Sequence, residues 1–404
     1  MRPERILYCE SNSDGTIGGS FYSLFYLVDG LDKSRFEPRV IFYQDHSLLP
    51  LYHAAGIPTE TFSKPRPVHL VRRTEASSHG LLRKAYFLIL GSVQRLLNLT
   101  RFLVTPTFRY AVYLKKNRIR LVHLNNSIVR NNAWMLAAIL TGVRCITHER
   151  GINERFPPLS RFLAKRLDAV ICISDAVRTN MVTHGVSGDR LRVIHNGLDP
   201  SRIRVTLPPS EIYEKYGIPD SAPVIGIVGN IKEWKGQETV IRAVSTLKTS
   251  FPDLRCMLVG DTAASDQYYE QRLRQLIQEL GLERNIIFTG YQSNVANYLN
   301  AMHIVIHASI APEPFGRVLI EAMAMQKPIV GSADGGVLEI VSENETGLTF
   351  PPGDAEQLAN AVAKLLNDPP LRKRMGENGL ARLNEHFHIR SNIAKTQALY
   401  EAIL

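Results

Sequence analysis

Glu313 and Glu321, eight positions apart in the string APEPFGRVLIEAMAMQKPIVGSADGGVLEIV of residues 311–341, are the residues whose types and spacing speak most directly of chemistry. Pro314 follows Glu313, and a residue before proline is pushed out of the α region, so Glu313 is predicted to lie on a loop. A helix is predicted to start near Gly316. That start puts Glu321 in the second turn and leaves the backbone N–H groups of the first turn open to phosphate or sugar oxygens. On an unbroken helix the two acids would stand two turns apart; with one on the loop and one on the helix behind it, they can flank a single ligand. A carboxylate accepts two hydrogen bonds side by side, which suits the vicinal hydroxyls of a ribose or hexose. Glu321 is assigned to a ribose and Glu313 to a transferred sugar. Downstream come a predicted strand, a turn at Gly335 and Gly336, and a helix opened by Glu339. Glycines at the turn let backbone approach a ligand with no Cβ in the way.

Other signals are weaker singly. Gly15, Gly18 and Gly19 follow the first apolar run and mark either a dinucleotide site or a tight strand-to-helix turn; their spacing is not G-x-G-x-x-G, which counts against NAD. His148 stands just past the carboxyl end of a predicted strand, where open parallel sheets place ligands, although a lone histidine is more often structural. The four cysteines, Cys9, Cys145, Cys172 and Cys256, lie in or beside apolar stretches and form no CxxC pair, which reads as buried thiols in a reducing compartment. The N-terminus runs directly into a strand-like segment without signal-peptide organisation, so the protein is expected in the cytoplasm. No His/Asp/Glu cluster has metal-ligand spacing; neither a metal nor a cofactor is expected.

Positioning these residues takes a layered scaffold. The 404 residues exceed what one hydrophobic core usually holds, so two domains of roughly 200 residues are expected. Apolar runs of strand length alternate with segments of helical period, the pattern of parallel βαβ units. Six such runs fall in the first half, from RILYCE to LRVIHN, and six in the second, from PVIGIVGN to GLTF. Helices are predicted over 232–249, 266–281 and 315–327. The weakest regular signal, around residues 200–222, is rich in proline and divides residues 1–205 from 206–385. Residues 386–404 read as a terminal helix.

Charge is unevenly spread. Residues 1–200 hold 28 Lys and Arg against 15 Asp and Glu, whereas the remainder holds 20 against 23. Within residues 61–130, 14 basic residues face one acid, Glu75, so the first half presents an anion-attracting surface. Inside that stretch lies an insertion at about 78–118 that breaks the α/β rhythm. Its longest uncharged run, Ala85 to Gln94, is too short to span a bilayer, which needs about 20 apolar residues. Two readings stay open for this basic amphipathic segment: a helical hairpin packed on its own domain, or a surface that dips into an anionic leaflet.

With Glu313, Phe315, Gly316, Glu321 and Ala322 followed by Gly335, Gly336 and Glu339, the sequence resembles the retaining GT-B glycosyltransferases of the family 4 type, whose signature is E-x-F-G-x-x-x-x-E-A and then GG-x-x-E. The similarity continues in an N-G-x-D turn at Asn196, Gly197 and Asp199 and in the segment IVGNIKEWKGQETVIRA of residues 227–243. The resemblance implies an α/β protein of two facing Rossmann-like domains, an acceptor-side domain and a nucleotide-sugar-binding domain, with the C-terminal helix packing back on the first. It implies transfer with retention, without a metal, from a nucleotide-diphosphate sugar to a glycan or lipid-linked acceptor, as in surface polysaccharide or lipopolysaccharide assembly.

By the same resemblance, Glu313, Lys235 and His148 are the catalytic set. Glu321, Asn230, Phe315, Gly316, Arg317, Val318 and Tyr291 surround the donor, and the loop of Gly15, Gly18 and Gly19 faces the diphosphate. Lys235 matches the family's diphosphate lysine, whose ammonium acts where a metal ion would elsewhere. At the position of the family's usual arginine stands Asn230, and Arg317 is expected to compensate. His195 stands where the family commonly has proline and is read as structural. A non-catalytic sugar-nucleotide or polyanion binder of the same fold is the competing reading, but the glutamate signature has no purpose there. The basic patch lacks the interleaved aromatics of a nucleic-acid site, so no nucleic acid is expected as partner.

Overall fold

The computed structural model describes residues 3–11, 19–70 and 81–404, apart from the side chains of 81–85 and 87. The chain forms two compact units. The first comprises Met1–Ile173, Arg178–Ile194 and Lys395–Leu404, the second Ser174–Val177 and His195–Ala394.

Each unit is built on one parallel sheet. In the first, β1 (Glu4–Glu10), β2 (Phe36–Phe42), β3 (Thr59–Thr61), β4 (Leu121–Asn125), β5 (Arg144–Glu149), β6 (Ala169–Cys172) and β7 (Leu191–Val193) lie in the order β3-β2-β1-β4-β5-β6-β7. In the second, β8 (Val224–Val228), β9 (Arg255–Val259), β10 (Ile286–Gly290), β11 (Ile304–His307), β12 (Ile329–Ser332) and β13 (Gly347–Phe350) run β10-β9-β8-β11-β12-β13. Every predicted strand forms. The additional one, β3, has the polar sequence TET at a sheet edge and gives no apolar signal. Helices cover both faces of a parallel sheet, which is why its central strands are unbroken apolar runs; Ile6, Leu7, Tyr8 and Cys9 are all fully buried.

Strand order reverses between β1 and β4 in the first sheet and between β8 and β11 in the second. At such a switch the connections leave in opposite directions, and a crevice opens beyond the carboxyl ends of the two strands. The polar residues at those four strand ends are therefore the first to inspect for chemistry.

Two helix predictions are corrected. The segment read as helical from 232 begins at Gln237, because Glu233–Lys235 forms a single 3-10 turn and Gly236 adopts a left-handed φ of +72° before the helix Gln237–Leu247. The stretch 200–222 also contains a short helix, Pro209–Tyr216, started by proline and stopped by Gly217. The terminal helix spans Ile389–Ile403, and from Lys395 onward it is part of the first unit. There Tyr400 is fully buried, and Glu401 pairs with Arg35 at 2.7 Å.

The insertion is helical throughout, as Leu81–Leu99, a π turn Thr100–Val104, and Thr105–Lys116. Pro106 accounts for the π turn. A proline cannot donate to the carbonyl four residues back and its ring crowds that carbonyl, so the preceding turn widens and Thr105 donates to Thr100 instead. One face is buried through Thr107, Tyr110 and Leu114, and it packs against the helix Asn132–Thr141, where Tyr110 stacks on Trp134. Asn98 holds Val68 by hydrogen bonds in both directions, at 2.8 and 3.0 Å. Leu88, Ile89, Leu96, Phe108 and Val112 on other faces are 64–66% exposed, among exposed Arg95, Arg101, Arg109, Lys115 and Lys116. Among the described residues, no helix is long and apolar enough to cross a membrane.

Candidate active site

In the second unit the switch between β8 and β11 holds the predicted residues together. β8 runs out at Val228 into Gly229 and Asn230, and the 3-10 turn brings Lys235 back over that glycine. A Cβ on Gly229 would stand 3.9 Å from Lys235 Cε. From the neighbouring β11, the chain passes His307 and Ser309 to Glu313, which lies on a loop as its Pro314 neighbour requires. Lys235 Nζ donates to Glu313 Oε2 at 2.6 Å, His307 Nε2 donates to the same oxygen at 3.1 Å, and Ser309 Oγ lies 3.3 Å from it. The other face of the ammonium is 4.1 Å from the centroid of the Trp234 ring.

Burial would push the Glu313 carboxyl up, but the His307 hydrogen bond and the Lys235 charge outweigh it and hold the group at about 2. Glu313 is thus a carboxylate at any working pH. It can orient a cation and accept hydroxyl protons in hydrogen bonds, and it cannot act as a general acid.

The helix Arg317–Ala324 starts beside this loop, with Gly316 as its N-cap at φ +88°. No side chain caps that start, so the first-turn N–H groups retain their attraction for an anion. One turn further on, Glu321 accepts from Arg317 Nη2 at 3.3 Å. The two-glycine turn has a different function from the one its sequence suggested. A Cβ on Gly335 would come within 2.4 Å of Glu313 O and one on Gly336 within 2.7 Å of Phe315 Cα, while Gly336 N–H donates to Glu313 O at 2.7 Å. The close approach that excludes a Cβ is to the Glu313 loop itself. Glu339, beyond the turn, accepts from Asp175 N–H at 2.8 Å, Ala176 N–H at 2.9 Å and His195 Nε2 at 2.8 Å, a supporting role with no oxygen left bare.

In the first unit a buried polar chain ends at His148. Arg150 has no acceptor atom, so where its Nη2 meets His148 Nδ1 at 3.3 Å the ring nitrogen must accept. His123 Nε2, 3.2 Å from the same nitrogen, is then the protonated one, and His123 Nδ1 accepts from Tyr400 Oη at 2.6 Å. Tyr8 donates in turn to Tyr400 at 2.9 Å. These assignments leave the His148 proton on Nε2, which is buried and has no partner among the described residues. A neutral N–H is thereby left without an acceptor among the described residues. Burial, with the Arg150 charge second, holds His123 at about 3 and His148 well below the ordinary histidine range.

A pH dependence follows. In the unfolded chain both histidines take up protons near pH 6.5, whereas in the folded chain neither does, so stability falls as pH drops below about 6.5. His148→Asn keeps an acceptor for Arg150 and removes the titration. Stability measured by denaturant unfolding between pH 7 and 5 is expected to fall less steeply in the variant, by about 1.4 kcal/mol per pH unit. Parallel curves would mean that His148 is charged in the folded protein. Glu149 opposes the trend: burial, against hydrogen bonds from Ile128 N–H and the Ser127 and Asn153 side chains, raises it to about 7, so it disfavours folding as pH rises from about 4.5 to 7. The comparison of two variants cancels this contribution.

The structure brings Glu313, Lys235, Gly316, Gly335 and Gly336 together, with Arg317 and Glu321 paired one helical turn away. Asn230 is exposed, with its carbonyl accepting from Gln237 at 3.0 Å, and Val318 is half-buried on the same helix as Arg317. The Phe315 ring is buried against His195 and Phe387, so only its backbone can meet a donor. Tyr291 is 72% exposed and not packed into the core. Gly19 opens the helix Gly19–Asp29, while Gly15 and Gly18 lie outside the described residues. The sequence reading missed His307 and Ser309. The rule that drew attention to His148, a polar residue at the carboxyl end of an apolar strand, would have found His307. At the first unit's switch it missed Glu10 and its amide donors Asn125 and Asn126.

Comparison with known proteins agrees over nearly the whole chain. A family model described as Glycosyltransferase Family 4 matches residues 17–202, and one described as Glycosyl transferases group 1 matches residues 210–382. The lipopolysaccharide core biosynthesis mannosyltransferase LpsB of Rhizobium meliloti is 25% identical over 76% of this chain and 87% of its own. Among solved structures, Anabaena HepE in complex with UDP is similar with a TM-score of 0.79 at 23% identity, covering 99% of this chain and 100% of that one. A glycosyltransferase from Rickettsia africae gives 0.80 at 22% identity over 100% and 99% of the two chains.

Proposed function

The chain belongs to the group 1, family 4 glycosyltransferases of GT-B fold, and from that premise we propose that it moves a sugar, with retention and without a metal, from a nucleotide-diphosphate carrier to a glycan or lipid-linked acceptor of surface polysaccharide assembly. The observation that carries this reading is the Lys235–Glu313 pair at the β8/β11 switch, beside an uncapped helix start. When the bond from the anomeric carbon to the diphosphate oxygen breaks, its electron pair stays on the phosphate. The Lys235 ammonium and the first-turn N–H groups after Gly316 stabilise that charge as it develops. Arg317 adds the second cation that Asn230 does not provide. Glu313 orients Lys235 and accepts hydroxyls of the transferred sugar, Glu321 accepts those of the ribose, and His148 Nε2–H donates to a sugar oxygen. The departing phosphate takes the acceptor's proton.

Incubation with a panel of nucleotide-diphosphate sugars in the presence of EDTA tests the reaction. Release of a nucleoside diphosphate from one donor, increased by membranes or a membrane extract, is the expected result; a panel left intact under both conditions would contradict it.

The acceptor is proposed to lie at the inner face of a membrane, with the enzyme cytoplasmic and peripherally bound. The insertion supports this, since its exposed leucines, Phe108 and Val112 stand among arginines and lysines, as in helices that lie in an anionic interface. The similarity to LpsB of Rhizobium meliloti supports a lipopolysaccharide type of product. Sedimentation with phosphatidylglycerol-containing vesicles is expected to pellet the protein, and Leu88→Glu with Leu96→Glu to leave it in the supernatant. A wild-type protein that stays in the supernatant with anionic and neutral vesicles alike would remove the membrane part of the proposal.

A further inference from the structure

We propose that a cavity beneath the insertion of the first unit is the acceptor site, and that it takes the hydrocarbon chain and the phosphate of a lipid-anchored acceptor. The inference rests on the glycosyltransferase reading above and names its acceptor. The cavity measures about 590 Å³, within the roughly 300–1,000 Å³ of ligand sites. It sits at the carboxyl end of the sheet, where Ser11 follows β1, Tyr43 follows β2, and residues 129–134 follow β4.

Its two sides differ in chemistry. The insertion contributes Leu99, Phe102, Leu103 and Pro106, an apolar wall continuous with the exposed leucines of the same helices. Among the described residues, Lys64 and Arg130 are the charged ones that line it, and no acid does. Lys64 is held in place: its ammonium donates to the Ser11 carbonyl and lies 5.0 Å from the Tyr43 ring centroid. The Tyr43 hydroxyl accepts from Trp134 Nε1 at 2.7 Å and lies 2.9 Å from the Tyr110 hydroxyl. Trp134 and Tyr110 are themselves stacked at 3.9 Å, so the floor is rigid.

The two amides that line it are each engaged at one atom within the protein. Asn131 Nδ2 donates to Ser127 O at 3.0 Å, and Asn132 Oδ1 accepts from Ser160 at 3.1 Å. An amphiphile with an anionic head matches both sides of the cavity: chain along the insertion, phosphate at Lys64 and Arg130. Leu99 and Phe102 are 50% and 42% exposed, so the chain can enter from the apolar face of the insertion without crossing a polar rim.

The chain has two tryptophans, and Trp234→Phe leaves Trp134, in the cavity wall, as the sole emitter. Bromine quenches indole fluorescence only near contact. Titration of that full-length variant with 11-bromoundecyl phosphate, below its micelle concentration, is expected to quench Trp134 saturably. 11-Bromoundecanol is expected to bind about tenfold more weakly, and inorganic phosphate to leave the titration unchanged. Leu103→Glu is expected to weaken quenching by about tenfold or more, as is Phe102→Glu, a change at the exposed edge that keeps the test intact if the first variant does not fold. Absence of quenching, equal quenching in both folded variants, or full competition by inorganic phosphate would overturn the proposal. Donor turnover measured on wild type separates the two readings. Nucleoside diphosphate release without quenching sinks the cavity assignment alone, and no release from any donor sinks the parent reading.

Discussion

Lys235→Ala is expected to lower kcat/KM by roughly a hundred- to a thousandfold, the range for removing one preorganised donor to charge that develops in a transition state. The ammonium approaches Glu313 Oε2 at 2.6 Å, and its remaining protons are the ones proposed to meet the diphosphate. Its loss also removes the strongest positive charge beside a carboxylate that is 8% exposed, so stability is expected to drop by about 1–3 kcal/mol. The sign with pH is fixed. Glu313 is depressed to about 2 in the folded wild type, so it adds stability above the unfolded-state value near 4.3, and that stability is lost as pH falls toward 2. Without Lys235 the carboxyl rises and the acid loss becomes smaller. Lys235→Arg keeps the charge and is expected to recover part of the turnover. Wild-type kcat/KM in a folded Lys235→Ala protein would remove the leaving-group role.

Much of this site was legible because it is local in sequence. The Glu313 loop, the helix start at Gly316 and the paired glycines all fall within residues 311–341, and the rule against α conformation before proline places Glu313 without any tertiary knowledge. The strands were legible for a similar reason: burial on both faces demands continuous apolar runs. What joins distant segments was not legible. Nothing in the local pattern says that His307 and Lys235 meet on one carboxylate oxygen, because the β8–β11 neighbourship is a property of sheet order. The tautomer of His148 is likewise set by Tyr400, 252 positions later in the chain. Gly335 and Gly336 were recognised as a close approach, but to a ligand, since sequence does not reveal which backbone crosses the turn.

That crossing yields the second large effect. Gly335→Ala is expected to reduce turnover by about a hundredfold, because the new Cβ would stand 2.4 Å from Glu313 O and 2.6 Å from Glu313 N, and the loop bearing the carboxylate must shift. Positive φ alone cannot be the cause of such a loss, and a control separates the two. Gly217 has φ +61°, like Gly335 at +60°, but nothing lies within 4 Å of its Cβ position. Gly217→Ala is expected to cost about 1 kcal/mol of stability through backbone strain and to leave turnover intact. Equal activity losses in the two variants would show that the contact with the Glu313 backbone is irrelevant. Retention of full turnover in Gly335→Ala would show that the loop has room to give.

The grip of Glu321 and the Glu313–Lys235 pair on a nucleotide-diphosphate sugar is tested most directly by calorimetric titration of nucleoside diphosphates into wild type and Glu321→Ala, with EDTA present. One nucleoside diphosphate is expected to bind wild type saturably and to bind Glu321→Ala at least about tenfold more weakly, since the carboxylate proposed to receive the ribose hydroxyls is gone. Equal affinities in the two folded proteins, or no binding of any nucleoside diphosphate to wild type, would contradict it.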